Sequence, residues 1–160
     1  MASTRILGID PGIGRTGYGI IESSGNTATM LTCGLIETDK QADQAERLVE
    51  LAEALRKVCA DTAIDTAVVE RLFFAQNVTT AMAVSEARGV IIQTLRETGI
   101  PVAEYTGLQV KQSVTGNGRA SKQQIGIMVT RLLGLSTTPK PDDVTDALAV
   151  ALCHAGWRKA

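Results

Sequence analysis

Short apolar runs rich in β-branched residues come first along the chain, and helical spacing takes over later. Residues 5–10 (RILGID) and 16–22 (TGYGIIE) flank the turn string Pro11-Gly12-Ile13-Gly14-Arg15, and residues 28–37 (ATMLTCGLIE) repeat the apolar pattern. Three strands joined by short links imply an antiparallel meander. Over residues 43–59 the period changes: Leu48, Leu51, Ala52, Leu55, Val58 and Cys59 fall on one side of a helix with charges opposite. Residues 66–70 (TAVVE) predict a brief buried strand, 78–95 a second helix, 101–105 a fifth strand and 121–133 a third helix. Pro139 and Pro141 then open a last helix over 142–157. Strands that alternate with helices pair in parallel. The pattern therefore predicts one α/β domain over residues 1–160: a five-stranded mixed sheet, with a three-strand antiparallel meander and two parallel strands, flanked by helices.

The second helix is unusually apolar. Val78, Ala81, Met82, Val84, Ala87, Val90, Ile91, Ile92 and Leu95 exceed one stripe, and only Glu86 and Arg88 are charged between them. A helix that is apolar on more than one side has two partners or is deeply buried, and a self-association face is the expectation.

Composition narrows the class. A length of 160 residues with 44% hydrophobic and 21% charged residues excludes a disordered or fibrous chain, and 3% aromatics leaves an aliphatic core. The net charge of −1 hides two halves: residues 37–70 hold nine acidic and four basic residues, whereas 71–131 hold seven basic and three acidic ones. A uniformly basic coat is excluded; a locally basic groove is not. Cys33, Cys59 and Cys153 are odd in number and widely spaced, which favours free thiols over a zinc site. No apolar run approaches the ~18 residues of a membrane span, and the start MASTRILGID lacks a signal-like core. A soluble, cytoplasmic protein of a reducing compartment is expected, with no membrane partner.

Several acids sit where chemistry is done. Asp10 ends the first strand and shares a face with Ile6 and Gly8, while Glu70 ends the fourth. Either acid alone is equally a solvated strand end or a turn residue. Asp143 and Asp146 are three apart, on one face of the first turn of a nearly all-apolar helix. Compensation of the helix dipole, with an Asp142 cap, accounts for one such acid more readily than for three. If strands one and four are neighbours, Asp10, Glu70, Asp143 and Asp146 can converge. Four carboxylates in a low-dielectric pocket repel one another, and two divalent cations would balance them. All-oxygen ligands favour Mg²⁺ or Mn²⁺, and an ion pair of this kind can hold both the attacking and the leaving oxygen of a phosphodiester. His154 lies eight residues beyond Asp146, about 12 Å along a helix, and is read as structural or as helix C-terminal charge beside Arg158 and Lys159.

Longer strings point further. Gly8-Ile9-Asp10-Pro11-Gly12 with Thr16-Gly17-Tyr18-Gly19, Val69 through Asn77 (VERLFFAQN), Ala87-Arg88-Gly89-Val90, Gln109 through Lys122 (QVKQSVTGNGRASK) and Asp143 through Ala149 (DVTDALA) resemble the RuvC-type Holliday junction resolvases, in order and over nearly the whole chain. The resemblance implies an RNase H-like fold, a homodimer, and Mg²⁺-dependent paired nicking of four-way junction DNA in recombination and repair, in concert with the RuvA and RuvB branch-migration proteins. It places the acidic ligands on Asp10, Glu70, Asp143 and Asp146; some relatives carry His in place of Asp143. Phe73 matches the family's stacking residue, which suits an exposed ring beside an unpaired base; Phe74 is read as core. Lys111 and Lys122 match the basic residues near the scissile phosphate. Lys122 and Arg119 flank a Gly116-Asn117-Gly118 turn into a helix, a place suited to phosphate, although ordinary solvated charge serves equally for Arg119.

Three other readings remain beside it. A phosphotransferase of the actin and sugar-kinase type shares the Gly-Ile-Asp opening but needs a second lobe, and no GxxxxGK[ST] loop is present. An RNase H-like nuclease for structured RNA, or a junction-binding module without catalysis, would keep the same sheet.

Overall fold

The computed structural model describes residues 2–72 and 77–157. Its elements run β1 (Thr4–Asp10), β2 (Arg15–Ser24), β3 (Thr27–Glu37), α1 (Gln44–Asp61), β4 (Thr66–Arg71), α2 (Val78–Glu97), β5 (Val102–Thr106), α3 (Gly107–Thr115), α4 (Lys122–Leu132) and α5 (Asp142–Trp157). The strand order is β3-β2-β1-β4-β5. β1, β2 and β3 pair antiparallel, and β1–β4 and β4–β5 pair parallel, as the strand–helix alternation requires.

Alternation along the central strands divides the interior into two cores. Leu7, Ile9, Ile20, Ala67 and Val69 face α1 and α2, where they meet Leu51, Leu55, Ala87, Ile91 and Leu95. Ile6, Ile21 and Val68 face the other way, against Val144, Leu148, Ala151 and Leu152 of α5, with Val110 of α3 and Ile125 and Val129 of α4 behind. Both cores are aliphatic, in keeping with the shortage of aromatics.

Helix starts follow local chemistry. Asp43 and Asn77 cap α1 and α2 by accepting from Glu46 N and Thr80 N. Reciprocal capping boxes join Thr106 to Gln109 and Ser121 to Gln124.

Two expectations need correction. The apolar pattern contained no sign of α3, because a nine-residue helix with only Val110 and Val114 buried carries little periodicity. Thr106, the last residue of β5, is also the cap of α3, so no loop separates the two. In α2 the apolar excess is also uneven: Ala87, Ile91 and Leu95 are buried, while Val78 (70%) and Met82 (60%) are exposed in its first turns. The apolar surface is most exposed at the start of the helix, while Val84, Val90 and Ile92 further along are half-buried. The expected core position of Phe74 lies outside the described residues.

Candidate active site

The site begins with glycines. Asp10 pairs directly with Gly17 across the β1–β2 ladder, and Gly8 pairs with Gly19. A Cβ at Gly8 would collide with the Ala147 carbonyl oxygen, one at Gly17 with the Asp143 carbonyl oxygen, and one at Gly19 with the Leu148 side chain. These three bare positions let the first two turns of α5 lie almost on the sheet. Ala147 and Ala151 keep the helix side of the contact thin. Asp143 and Asp146 are thereby delivered beside Asp10.

Glu70 arrives from the neighbouring strand. Ile9 and Val69 form the last partner pair of β1 and β4, so Asp10 and Glu70 stand at the same end of two adjacent central strands. Both side chains alternate onto the α5 face. Gly107, the first residue of α3, makes room for Glu70: a Cβ there would stand 2.8 Å from Glu70 Oε1.

The electrostatics record this crowding. The Asp10 carboxyl is pushed up to about 8, first by burial and then by Asp146, Glu70 and Asp143, with Lys122 opposing. Burial raises Glu70 as well, and Asp146 adds to it while Lys111 and Lys122 pull back. Asp146 is raised by burial, against which Lys122 acts most strongly. Lys122 is in turn held protonated by Asp146, from whose Oδ2 its Nζ lies 3.5 Å. Its distance to Asp142 Oδ2 is 4.0 Å. At the other flank an Arg15 Nη2 lies 3.1 Å from Asp143 Oδ2, an ion pair without hydrogen-bond alignment. That buried oxygen has no hydrogen-bond partner among the described residues.

Among the described residues, no three acidic, histidine or cysteine side chains are gathered tightly enough to hold a metal ion as they stand. The four acids share one end of the sheet without forming a closed shell. Two of them are already engaged by cationic side chains, Asp146 by Lys122 and Asp143 by Arg15. The donor set nevertheless fits a hard divalent cation. It consists of carboxylate oxygens, one of them buried without a hydrogen-bond partner among the described residues, crowded closely enough to raise the Asp10 carboxyl.

The other sequence candidates divide. Lys111 and Lys122 line a cleft of about 190 Å³ together with Glu70, Gly107 and Asp146. A second groove of about 450 Å³ shares Lys122 and Asp146 with it and continues past Gln123, Thr138 and Lys140. Arg119 is exposed in the α3–α4 turn and lines neither hollow; its backbone N–H donates to Asn117 Oδ1 at 2.9 Å. Phe73 lies outside the described residues. His154 is structural, as expected, with Nδ1 2.9 Å from the Tyr105 hydroxyl. Sequence reasoning missed Arg15 and Gly107. Arg15 was read only as the end of a turn string. Only the unforeseen helix α3 gives Gly107 its meaning.

The family model for crossover junction endodeoxyribonuclease RuvC matches residues 6–154. The chain belongs to the RuvC family. It is 48% identical to the crossover junction endodeoxyribonuclease RuvC of Petrotoga mobilis, over 97% of this chain and 95% of that protein. Identity to the RuvC of Caldicellulosiruptor saccharolyticus is 52%, covering 94% and 91% of the two chains. The structure is similar to Thermus thermophilus RuvC in complex with a Holliday junction substrate, with a TM-score of 0.92, 32% identity and coverage of 98% and 95%. The fold is accordingly RNase H-like, and the family's activity, endonucleolytic cutting of DNA at crossover junctions, is this chain's activity. RuvC nucleases use divalent metal. The phosphotransferase, RNA-nuclease and non-catalytic alternatives give way to this match. No helix of the described residues is long and apolar enough to cross a membrane.

Proposed function

We propose that this chain, a single nuclease domain over residues 1–160, resolves four-way DNA junctions by paired symmetric nicks, with Asp10, Glu70, Asp143 and Asp146 as the ligands of two Mg²⁺ ions. What carries this reading is the meeting of Asp10, Glu70 and the first turn of α5 at one end of two adjacent strands. Bound there, the cations supply charge neutralisation and Lewis-acid polarisation for phosphodiester hydrolysis, and Mn²⁺ substitutes for Mg²⁺.

The chain's own residues do the rest. Lys122 is kept protonated and is tethered to Asp146, so it presents a fixed positive charge at the rim of the cleft where a phosphate approaches. Lys111 adds a second charge across from it. Phe73, two residues after Arg71 at the end of β4, is assigned the stacking role at the opened crossover. Arg119 contributes a peripheral phosphate contact. Two symmetric cuts need two sites, and a two-fold homodimer supplies them; the exposed Val78 and Met82 of α2 suit that contact. RuvA and RuvB are the assigned branch-migration partners. The three cysteines are free thiols, which accords with a cytoplasmic setting.

Incubation with a synthetic mobile four-way junction, a linear duplex and a structured RNA, each with and without Mg²⁺, tests the proposal. The expected result is paired nicks with 5′-phosphate ends on the junction alone, and only with Mg²⁺. Equal cutting of the linear duplex would remove the junction reading.

A further inference from the structure

On the face of the sheet opposite the carboxylates, Arg88 of α2 reaches the backbone of the site. Its side chain is 19% exposed. Its Nη2 donates to Glu104 Oε1, and its Nε donates to the carbonyl oxygen of Glu70 at 3.3 Å. The second oxygen of Glu104 accepts from Arg71 Nη2, also at 3.3 Å. Glu104 stands directly across from Val69 in the β4–β5 register, and Val69 belongs to the core beneath α1 and α2. The three charges therefore lie behind the sheet and bracket one peptide unit. Arg88 grips the carbonyl of Glu70, and Arg71 is the residue that follows it.

A restraint is needed at this point. Glu70 is one residue beyond Ile9–Val69, the last pair of the β1–β4 ladder, so β1 no longer fixes its backbone. Its carboxylate is repelled by Asp146 and attracted by Lys111 and Lys122, so its position depends on how its backbone is held. Glu70 keeps a ladder partner only on the β5 side, in Tyr105, and a strand end paired on one side is less stable than the strand's centre.

We propose that Arg88, oriented by Glu104, is a positioning residue that holds the Glu70 main chain from the reverse face and so keeps its carboxylate opposite Asp146. The inference rests on the reading of Glu70 as a cation ligand. It also makes a prediction of sign. Arg88 carries a positive charge, so by electrostatics alone its loss would tighten cation binding at the acidic end. Loss of a positioning contact does the opposite, because a displaced carboxylate no longer contributes to the shell.

The test measures the rise in Tm of the full chain against Mg²⁺ concentration, with a calorimetric Mg²⁺ titration beside it. Arg88→Gln is expected to raise the half-saturating Mg²⁺ concentration about tenfold, the scale on which supporting contacts tune metal sites. The double variant Arg88→Gln/Glu104→Gln leaves the net charge unchanged and is expected to show the same loss, while Arg88→Lys restores part of it. Half-saturation unchanged or lowered in Arg88→Gln, with the wild-type response intact, overturns the positioning role. Should Arg88→Gln fail to fold, Arg88→Lys decides: it keeps the charge, so a severalfold weakening supports the positioning role and an unchanged half-saturation overturns it. A wild-type chain whose Tm does not respond to Mg²⁺ overturns the cation-site reading itself, a separate and recognisable failure.

Discussion

The two faces of the central sheet are built on opposite principles. Toward α1 and α2 the strands offer side chains: Leu7, Ile9, Ile20, Ala67 and Val69 fill the space between layers in the ordinary aliphatic way. Toward α5 they offer Ile6, Ile21 and Val68, but at Gly8, Gly17 and Gly19 they withdraw side chains and let the helix approach closely. The first arrangement buries area and stabilises. The second brings the N-terminal turn of a helix, with its two aspartates, alongside strand ends that carry their own acids. The contrast teaches that a charged centre is positioned here by removing side chains locally, while aliphatic cores on both faces supply the folding energy that tolerates it.

Breaking the charged face should have the largest effect on activity. Asp10→Asn or Asp146→Asn is expected to reduce junction cutting below detection while leaving junction binding intact in a gel-shift assay. Mg²⁺-dependent nicking retained by either variant would refute the four-carboxylate site. Asp10→Asn also has a consequence for stability. In the cation-free fold the Asp10 carboxyl titrates at about 8 instead of 3.8. Between those values the folded chain holds a proton that the unfolded chain has lost, so wild-type stability falls as pH rises and levels off above the upper value. The drop is on the order of a few kcal/mol. Asp10→Asn should flatten it, so the variant should be the more stable protein at pH 8.5 in chelator, as urea titrations at several pH values would reveal.

The next largest effect is expected at the close contact itself. Gly8→Val puts a branched side chain where the Ala147 backbone stands, and backbone cannot swing aside as a side chain can. Loss of about 3 kcal/mol or more is expected from overpacking, together with loss of Mg²⁺-dependent stabilisation because α5 lifts away from Asp10. A variant that kept its response to Mg²⁺ would show that the helix does not need this approach. On the other face, Ile91→Ala is expected to cost roughly 2–4 kcal/mol through its cavity, yet leave half-saturation by Mg²⁺ unchanged. The same measurement that separates the two glycine and aliphatic faces also tests Arg88, whose contacts cross from one to the other.

Much of this was legible in one dimension. The meander, the change to helical spacing after residue 43 and the apolar helix behind Asp143 and Asp146 all follow from periodicity, because periods of two and about 3.6 are imposed by backbone geometry. The acids stood out because charge at the end of an apolar run is costly unless it is used. Helix α3 was invisible, since nine residues with two buried positions carry no readable period and its cap is the last residue of a strand. The apolar excess of α2 was visible, but not its distribution: only packing against the sheet decides that Ile91 is buried and Met82 exposed.

The order of residues alone determined most of the elements, which depend on near neighbours, and which side chains can ionise. It also held the strings that tie the chain to the RuvC family. Which charges meet was decided in three dimensions. Strand pairing brings Asp10 and Glu70 together across some sixty residues of chain, glycine contacts bring α5 down upon them, and a salt bridge behind the sheet reaches the Glu70 backbone. Those relations depend on distances between segments far apart in sequence, which no local pattern encodes.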